Sequence, residues 1–431
     1  MKRKVTVVLL ALMAALLLGL SVFFVACDVG TESGGQNTEQ GGETGGETGG
    51  ETGGETGGET GGETGGEDPA PVPDVSDKLV FTLNDEKTAY SVTDMDTLAA
   101  GSVTIPATYN GLPVTSIGEN AFDECRSLTE ITIPDGVTSI GSSAFYGCSS
   151  LASVTIGEGV TSIGSDVFRD CSGLTEINYN AAAVADLTSR SDVFYNAGSD
   201  SEGIAVTFGE SVTSIPAYLF DGANITSVTI GSNVTSIGDG AFSGCSSLTE
   251  ITIPDSVTSI GERAFSGCSG LTEITIPDSV TSIGSFAFCY CHSLTSITIG
   301  EGVTSIGREV FSGCYKLIEV YNKSALDIAA GSDENGWVAY YAKRVYTQEE
   351  DGSWFTDTAE GYRFFYDGSK GYLMGYSGTE TELTLPAGFT AYNGTEVAEY
   401  EIYEFAFFNR KDLITVTIPD SVTSIGEDAF L

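Results

Sequence analysis

Cys289-Tyr290-Cys291-His292 brings thiols and the only histidine of the chain together, and these are donor types that hold zinc. A zinc centre needs four converging ligands, and no other segment offers any. Cys291 also belongs to a column of seven cysteines, with Cys125, Cys148, Cys171, Cys245, Cys268 and Cys314, that recurs at one position of a repeat. Equivalent residues on stacked coils stand about 5 Å apart with parallel Cα–Cβ vectors, whereas a disulfide needs its Cβ atoms turned toward each other. Ala197 and Ala223 fill the same slot elsewhere, so the column reads as a buried ladder of small side chains and His292 as a surface neighbour. One histidine leaves little acid–base chemistry near neutral pH, and no Ser or Cys lies in a recognisable nucleophile motif. Carboxylates are abundant, but nothing marks a pair of them as a glycosidase couple. Asp255 and Asp278 suit turn chemistry, which accounts for them without calcium. The expectation is a protein that is not an enzyme and needs no cofactor or metal.

What positions these residues is a period of 23, carried by Val-Thr-Ser-Ile-Gly, then Phe, Cys, Leu and Ile-Thr-Ile. Its first valine recurs as Val114, Val137, Val160, Val212, Val234, Val257, Val280, Val303 and Val422. A fixed period of this size is the signature of a solenoid whose coils bury a face against each neighbour. In the best-preserved copy, Leu248 to Pro254 alternates apolar and polar residues as a half-buried strand does. Pro254-Asp255-Ser256 then turns, Val257 to Ile260 is a second extended piece, and Gly261 breaks it. Glu262 to Cys268 reads as one helical or 3-10 turn, with Ala264 and Phe265 inward and Gly267 relieving the bend. The expected fold is a β-dominated α/β solenoid with a parallel sheet on one face and such turns on the other.

The pattern Leu-x-x-Ile-x-Ile-Pro, then Ile-Gly, Ala-Phe and Cys, resembles the BspA-like, treponemal type of leucine-rich repeat over roughly residues 79 to 431. The resemblance implies a curved solenoid with its parallel sheet on the concave side, found on surface proteins and lipoproteins that act in adhesion, coaggregation and binding of host matrix proteins. On that sheet the outward positions form two columns. The first exchanges Glu and Ser, with Glu130, Glu176, Glu250, Glu273 and Glu319, and the second is mostly Thr, with Thr132, Thr252 and Thr275. Residue type there follows from β-propensity and solubility. A functional reading gives these eight residues a role in docking a basic segment of another protein. An alternative contact is the aromatic stretch that holds Trp337, Trp354 and the hairpin pattern around Asp367-Gly368.

Sixty acidic and 18 basic residues give a formal charge of −42, which repels nucleic acid. Lys2, Arg3 and Lys4, an apolar run from Val5 to Ala26 and then Cys27 look like a bacterial lipoprotein signal, although Phe24 and Val25 depart from its usual residues. The resemblance implies lipid on Cys27 and export to the cell surface, on an outer membrane. An uncleaved membrane helix is the alternative. Gly-Gly-Glu-Thr occurs six times from Gly41 to Thr64, a composition that stays extended and solvated. A flexible tether of about 50 residues averages about 40 Å between its ends. The organisation expected is a signal over 1–26, a tether over 27–78 and cap strands over 79–113. Repeats follow over 114–321, an aromatic island over 322–382 and a second, truncated array over 383–431. The functional expectation is a lipid-anchored adhesin or coaggregation factor that binds host matrix or bacterial surface proteins. A structural envelope protein that binds its own kind or the cell wall is the alternative, and a hydrolase within the island is a third reading.

Overall fold

The computed structural model describes residues 5–8, 73–182, 184–347, 354–408 and 410–430. Cys27, the Gly-Gly-Glu-Thr repeats and most of the apolar N-terminal run lie outside the described residues. From residue 73 onward the chain winds as a β-solenoid in which the regular coils, with one exception, contribute a strand to a long ladder and a two-residue strand to a short one. The long ladder pairs Glu130 with Ser153, Ser153 with Glu176, and Glu176 with Ala205, all parallel and in register. Side chains alternate across this sheet as strand geometry requires, with Ile131, Val154 and Ile177 fully buried. The short ladder pairs Ser-Ile dipeptides, such as Ser236 with Ser259 and Ser259 with Ser282.

Between the ladders the Ala-Phe segment is a run of hydrogen-bonded turns. The two 3-10 helices among the described residues lie elsewhere, at Ser76–Lys78 and Asn335–Trp337. Each turn run needs left-handed backbone, and Gly267 supplies it at φ 75° while Phe286 and Tyr290 adopt it at φ 60° without that freedom. Inside, the phenylalanines stack face to face from Phe122 to Phe311, 4.6 Å apart at Phe122–Phe145 and 5.4 Å at Phe288–Phe311. Stacked rings of this kind add to the stabilisation that burial alone gives. The stack passes without a gap across the 52-residue step from Val160 to Val212, with Phe168, Phe194 and Phe220 in the ring position. That stretch interrupts only the short ladder, which ends at Ser162–Ile163 and resumes at Ser214–Ile215.

Two features go beyond the period. The solenoid does not stop at Tyr321: Arg344–Tyr346 pairs in parallel with Glu319–Asn322, and the Phe311 N–H donates to the Gly336 carbonyl, so residues 323–346 make one further coil. Its Phe and Cys are gone, which erases the period, but its backbone still pairs.

The segment after it reproduces the beginning of the chain. Leu79–Leu83 and Tyr90–Met95 form an antiparallel hairpin whose second strand pairs with Leu112–Ile117, after Gly101–Thr104 has joined the long ladder. Likewise Tyr362–Tyr366 and Gly371–Tyr376 form a hairpin whose second strand pairs with Tyr400–Ile402, after Glu382–Thr384 has joined Thr415–Ile418. Both arrays then insert a tight hairpin, at Tyr109-Asn110-Gly111-Leu112 and at Thr390–Glu396, each turned by Asn-Gly. The aromatic island is thus in large part the opening of a second array.

Candidate functional site: an interrupted sheet face

The long ladder is broken once within the first array. Ile225–Thr229 ends one sheet and Glu273–Ile276 begins the next, and residues 250–253 between them pair with neither, although the Thr272 N–H still donates to the Thr249 carbonyl at 3.3 Å. The short ladder stays continuous at the same coils, so the solenoid is unzipped on one side only. The ring stack is widest beside the break, at 5.7 Å between Phe220 and Phe242. There Phe208, standing where other coils carry Ile133 or Ile156, presents its edge to both rings at 6.1 and 6.4 Å. Tyr179 holds a ring in the same slot one coil earlier, where the ladder stays paired, so what sets Phe208 apart is its edge contact with two rings of the stack.

The break opens a cavity of about 550 Å³ on the outward face of the sheet. Glu250, Thr252, Glu273 and Thr275 line it together with Asp255, Asp278, Thr298, Lys323 and Ser227. Beneath them lie Ile251, Ile253, Ile274 and Ile276. Ile274 and Ile276 are buried, but Ile251 is half-exposed, unlike its equivalents Ile131 and Ile177. Glu250, Glu273, Asp255, Asp278 and Lys323 are all exposed, which sets four carboxylates against one ammonium. None of the four enters an ion pair among the described residues. Asp278 is partly committed, since its Oδ1 accepts the Glu301 N–H at 2.9 Å, one coil on. The opening has the dimensions of a ligand site with an apolar floor and a small set of polar groups.

A family model described as the BspA type leucine rich repeat region matches six copies, over residues 99–222, 213–330 and 398–431. This chain belongs to the BspA-type leucine-rich repeat family. Among solved structures, the BspA-type chain is similar to a leucine-rich repeat protein from Bacteroides ovatus, at 25% identity over 82% of this chain and 91% of that one, with a TM-score of 0.42. It is also similar to a leucine rich cell surface protein from Faecalibacterium prausnitzii, at 27% identity over 67% and 96% of the two chains and a TM-score of 0.35. A T. pallidum leucine rich repeat protein shares 21% identity over 64% and 99%, with a TM-score of 0.24. No curated protein matches the sequence.

The eight face residues expected from the sequence of this BspA-type chain do not form one site. Glu130, Thr132 and Glu176 lie on the continuous part of the long ladder, with both glutamates exposed. Glu250, Thr252, Glu273 and Thr275 meet at the cavity. Glu319 is only 3% exposed, so its expected role as a surface contact is corrected. The hairpin at Tyr362–Tyr376 folds over it: Arg363 reaches Glu319 at 3.6 Å and donates to Thr295 Oγ1 at 3.3 Å, and Tyr346 donates to Glu319 Oε1 at 3.4 Å. Phe355, Phe365 and Met374 pack on neighbouring Ile318. The aromatic stretch is accordingly mostly core, with Phe364, Phe365 and Tyr346 buried and Tyr340 the ring most open to solvent.

Asp255, Asp278 and Lys323 belong to the cavity but were outside the expected set, because turn position rather than sheet position places them there. His292 Nδ1 lies 2.9 Å from the Gly313 carbonyl, and its ring stacks on Tyr315, with Phe408 beside it. Burial lowers its pKa. The imidazole is thus occupied by packing between the first array and the second.

Proposed function

We propose that the chain is an exported, lipid-anchored surface protein that binds other proteins, acting in adhesion or coaggregation through the outward face of its long ladder. It works by binding and not by catalysis, with host matrix or bacterial surface proteins as partners. The observation that carries the reading is the cavity at residues 249–253, where Glu250, Glu273, Asp255 and Asp278 stand exposed over an apolar floor. An acidic patch of this kind steers basic segments and sets partner choice, and the apolar floor supplies the burial that holds them. The lipid anchor is supported by Cys27 after its apolar run and by the acidic tether that follows.

Replacing Glu250 and Glu273 by Lys tests the face. Capture of a basic matrix protein by the purified full chain should fall at least about tenfold, with circular dichroism unchanged, since both residues are exposed. Unaltered capture would move the contact away from this face. Treating intact cells with protease tests the location: loss of the protein supports a surface role, and full protection in cells with an intact envelope would sink the adhesin reading.

A further inference from the structure

A guanidinium already occupies one point of the outward face. Arg363, on the hairpin that closes over the end of the first array, donates through Nη1 to Thr295 Oγ1 at 3.3 Å and brings Nη2 to 3.6 Å from Glu319 Oε2. Thr295 and Glu319 stand on successive coils, held in alignment by the Ile318 N–H on the Thr295 carbonyl at 3.1 Å. Phe355 and Asp357, on the strand paired with that of Arg363, flank the guanidinium at 5.0 and 3.5 Å. Two acceptors one coil apart suit the planar fork of Arg, with its parallel donors, better than the point charge of Lys. The same pair recurs once with its alignment kept. Glu273 follows Thr249 as Glu319 follows Thr295: the Thr272 N–H donates to the Thr249 carbonyl at 3.3 Å. The ring stack is spaced at 5.4 Å in both places, at Phe242–Phe265 and at Phe288–Phe311. At the other glutamates of the column the hydroxyl is missing or displaced. Gly101 and Ala152 take the threonine position on the coils that precede Glu130 and Glu176, and Thr226 lies across the break from Glu250.

We infer that Thr249 and Glu273 form an arginine-selective site on the docking face, which takes the guanidinium of an arginine flanked by apolar or aromatic residues in a partner protein. The inference rests on the proposal that this face docks protein, and it names the group recognised. Glu273 accepts from one edge of the guanidinium and Thr249 Oγ1 from the other, while the flanking side chains cover Ile251, half-exposed two residues from Thr249. Both groups are open for this role, since Thr249 and Glu273 are exposed and their side chains make no hydrogen bond or ion pair among the described residues. Lys323, the cation that shares the cavity, follows Asn322 at the turn end of the coils, away from the Thr249 end. Glu250 adds charge on the neighbouring coil without completing a fork. A lysine gains the same attraction but only one directed contact, so charge sets affinity for basic segments and the Thr-Glu pair sets the choice among them.

Three blocked pentapeptides serve as probes on the full chain, read by fluorescence anisotropy at low salt. One is Ser-Tyr-Arg-Phe-Ser, which carries the neighbours of Arg363, and the others replace its Arg by Lys or by citrulline, which keeps the shape without the charge. The Arg peptide should bind, the Lys peptide at least about fivefold more weakly and the citrulline peptide at least about tenfold more weakly. T249V, which suits an exposed strand position, should bring the Arg peptide down to the affinity of the Lys peptide and leave the Lys peptide unchanged. E273Q should weaken both. T129V, the same substitution at the matching position of a coil followed by Ser153, should change neither. Equal binding of the Arg and Lys peptides, or an Arg preference that T249V leaves intact, overturns the arginine site and leaves charge-directed docking on this face standing. Failure of the Arg peptide to bind also overturns the inference, while capture of a basic protein abolished by the Glu250 and Glu273 reversals would still support the face.

Discussion

From Cys148 onward the buried thiols of the ladder do more than fill a small slot. Cys148 donates to the Phe122 carbonyl at 3.1 Å, Cys268 to Phe242 at 3.2 Å and Cys314 to Phe288 at 3.0 Å, and Cys171, Cys245 and Cys291 do likewise, so these six thiols tie their coils to the ring position of the coil before. All eight cysteines among the described residues are free and buried. Burial raises the Cys268 pKa from 9.0 to about 12. Below pH 9 the thiol is neutral in both folded and unfolded chains and its contribution is whole. Between about 9 and 12 only the unfolded chain ionises, so stability falls as pH rises through that window. Thermal melts of the full chain from pH 8 to pH 11 should show the loss, and C268A should reduce it without abolishing it, since burial raises Cys125, Cys245 and Cys291 in the same direction and the neighbouring Cys171 thiol, with burial, raises Cys148. The small slot was legible from the repeat because Ala197 and Ala223 share it, but the hydrogen bond was not, since alanine fits without one. Gly284 shows a similar gap: it is the equivalent, one coil on, of the Gly261 read as a strand breaker, and it is fixed by crowding, because a Cβ there would lie 2.4 Å from the Glu262 nitrogen and 2.5 Å from the Gly261 carbonyl carbon. G284A should cost about 1–3 kcal/mol by chemical denaturation, the range for overpacking against atoms that cannot give way.

At the scale of the strand, the segment that looks most ideal in sequence is the one left unpaired. Leu248 to Pro254 alternates without fault, and nothing in its own residues signals the break, because pairing is decided by the spacing between coils. The ring that meets two members of the stack edge-on beside the break is Phe208, two coils away in sequence, and we attribute the wider spacing to it. F208I should therefore let 249–253 pair and slow its amide exchange relative to the wild-type chain. Unchanged exchange would remove Phe208 as the cause. The same break separates two substitutions that the repeat makes equivalent. I274D buries a charge without a partner and should cost about 3–5 kcal/mol, whereas I251D, at a half-exposed position, should cost less than about half as much in the same denaturation experiment. Neither Glu319's burial nor the coil at 323–346 was legible, since both follow from long-range pairing after the period has lapsed.

For the molecule as a whole, two arrays each open on a hairpin, and the second hairpin closes over one end of the outward face of the first. The solenoid, its coil length and its parallel sheets were legible because period and residue type agree at the regular coils. The places where contact is possible were not, because they depend on which stretches of the face are zipped, open or covered. Glu319 is covered, Glu130 and Glu176 sit on paired strands, and Glu250 and Glu273 border the opening. Backbone hydrogen exchange on the full chain, resolved to residues 248–254 and compared with Ser153–Ile156, tests this most directly, free and in the presence of a captured basic protein. The account predicts fast exchange at 250–253 in the free chain, slow exchange at 153–156, and protection of 250–253 on binding. Equal protection of the two segments in the free chain, or binding that protects only other regions, would contradict it.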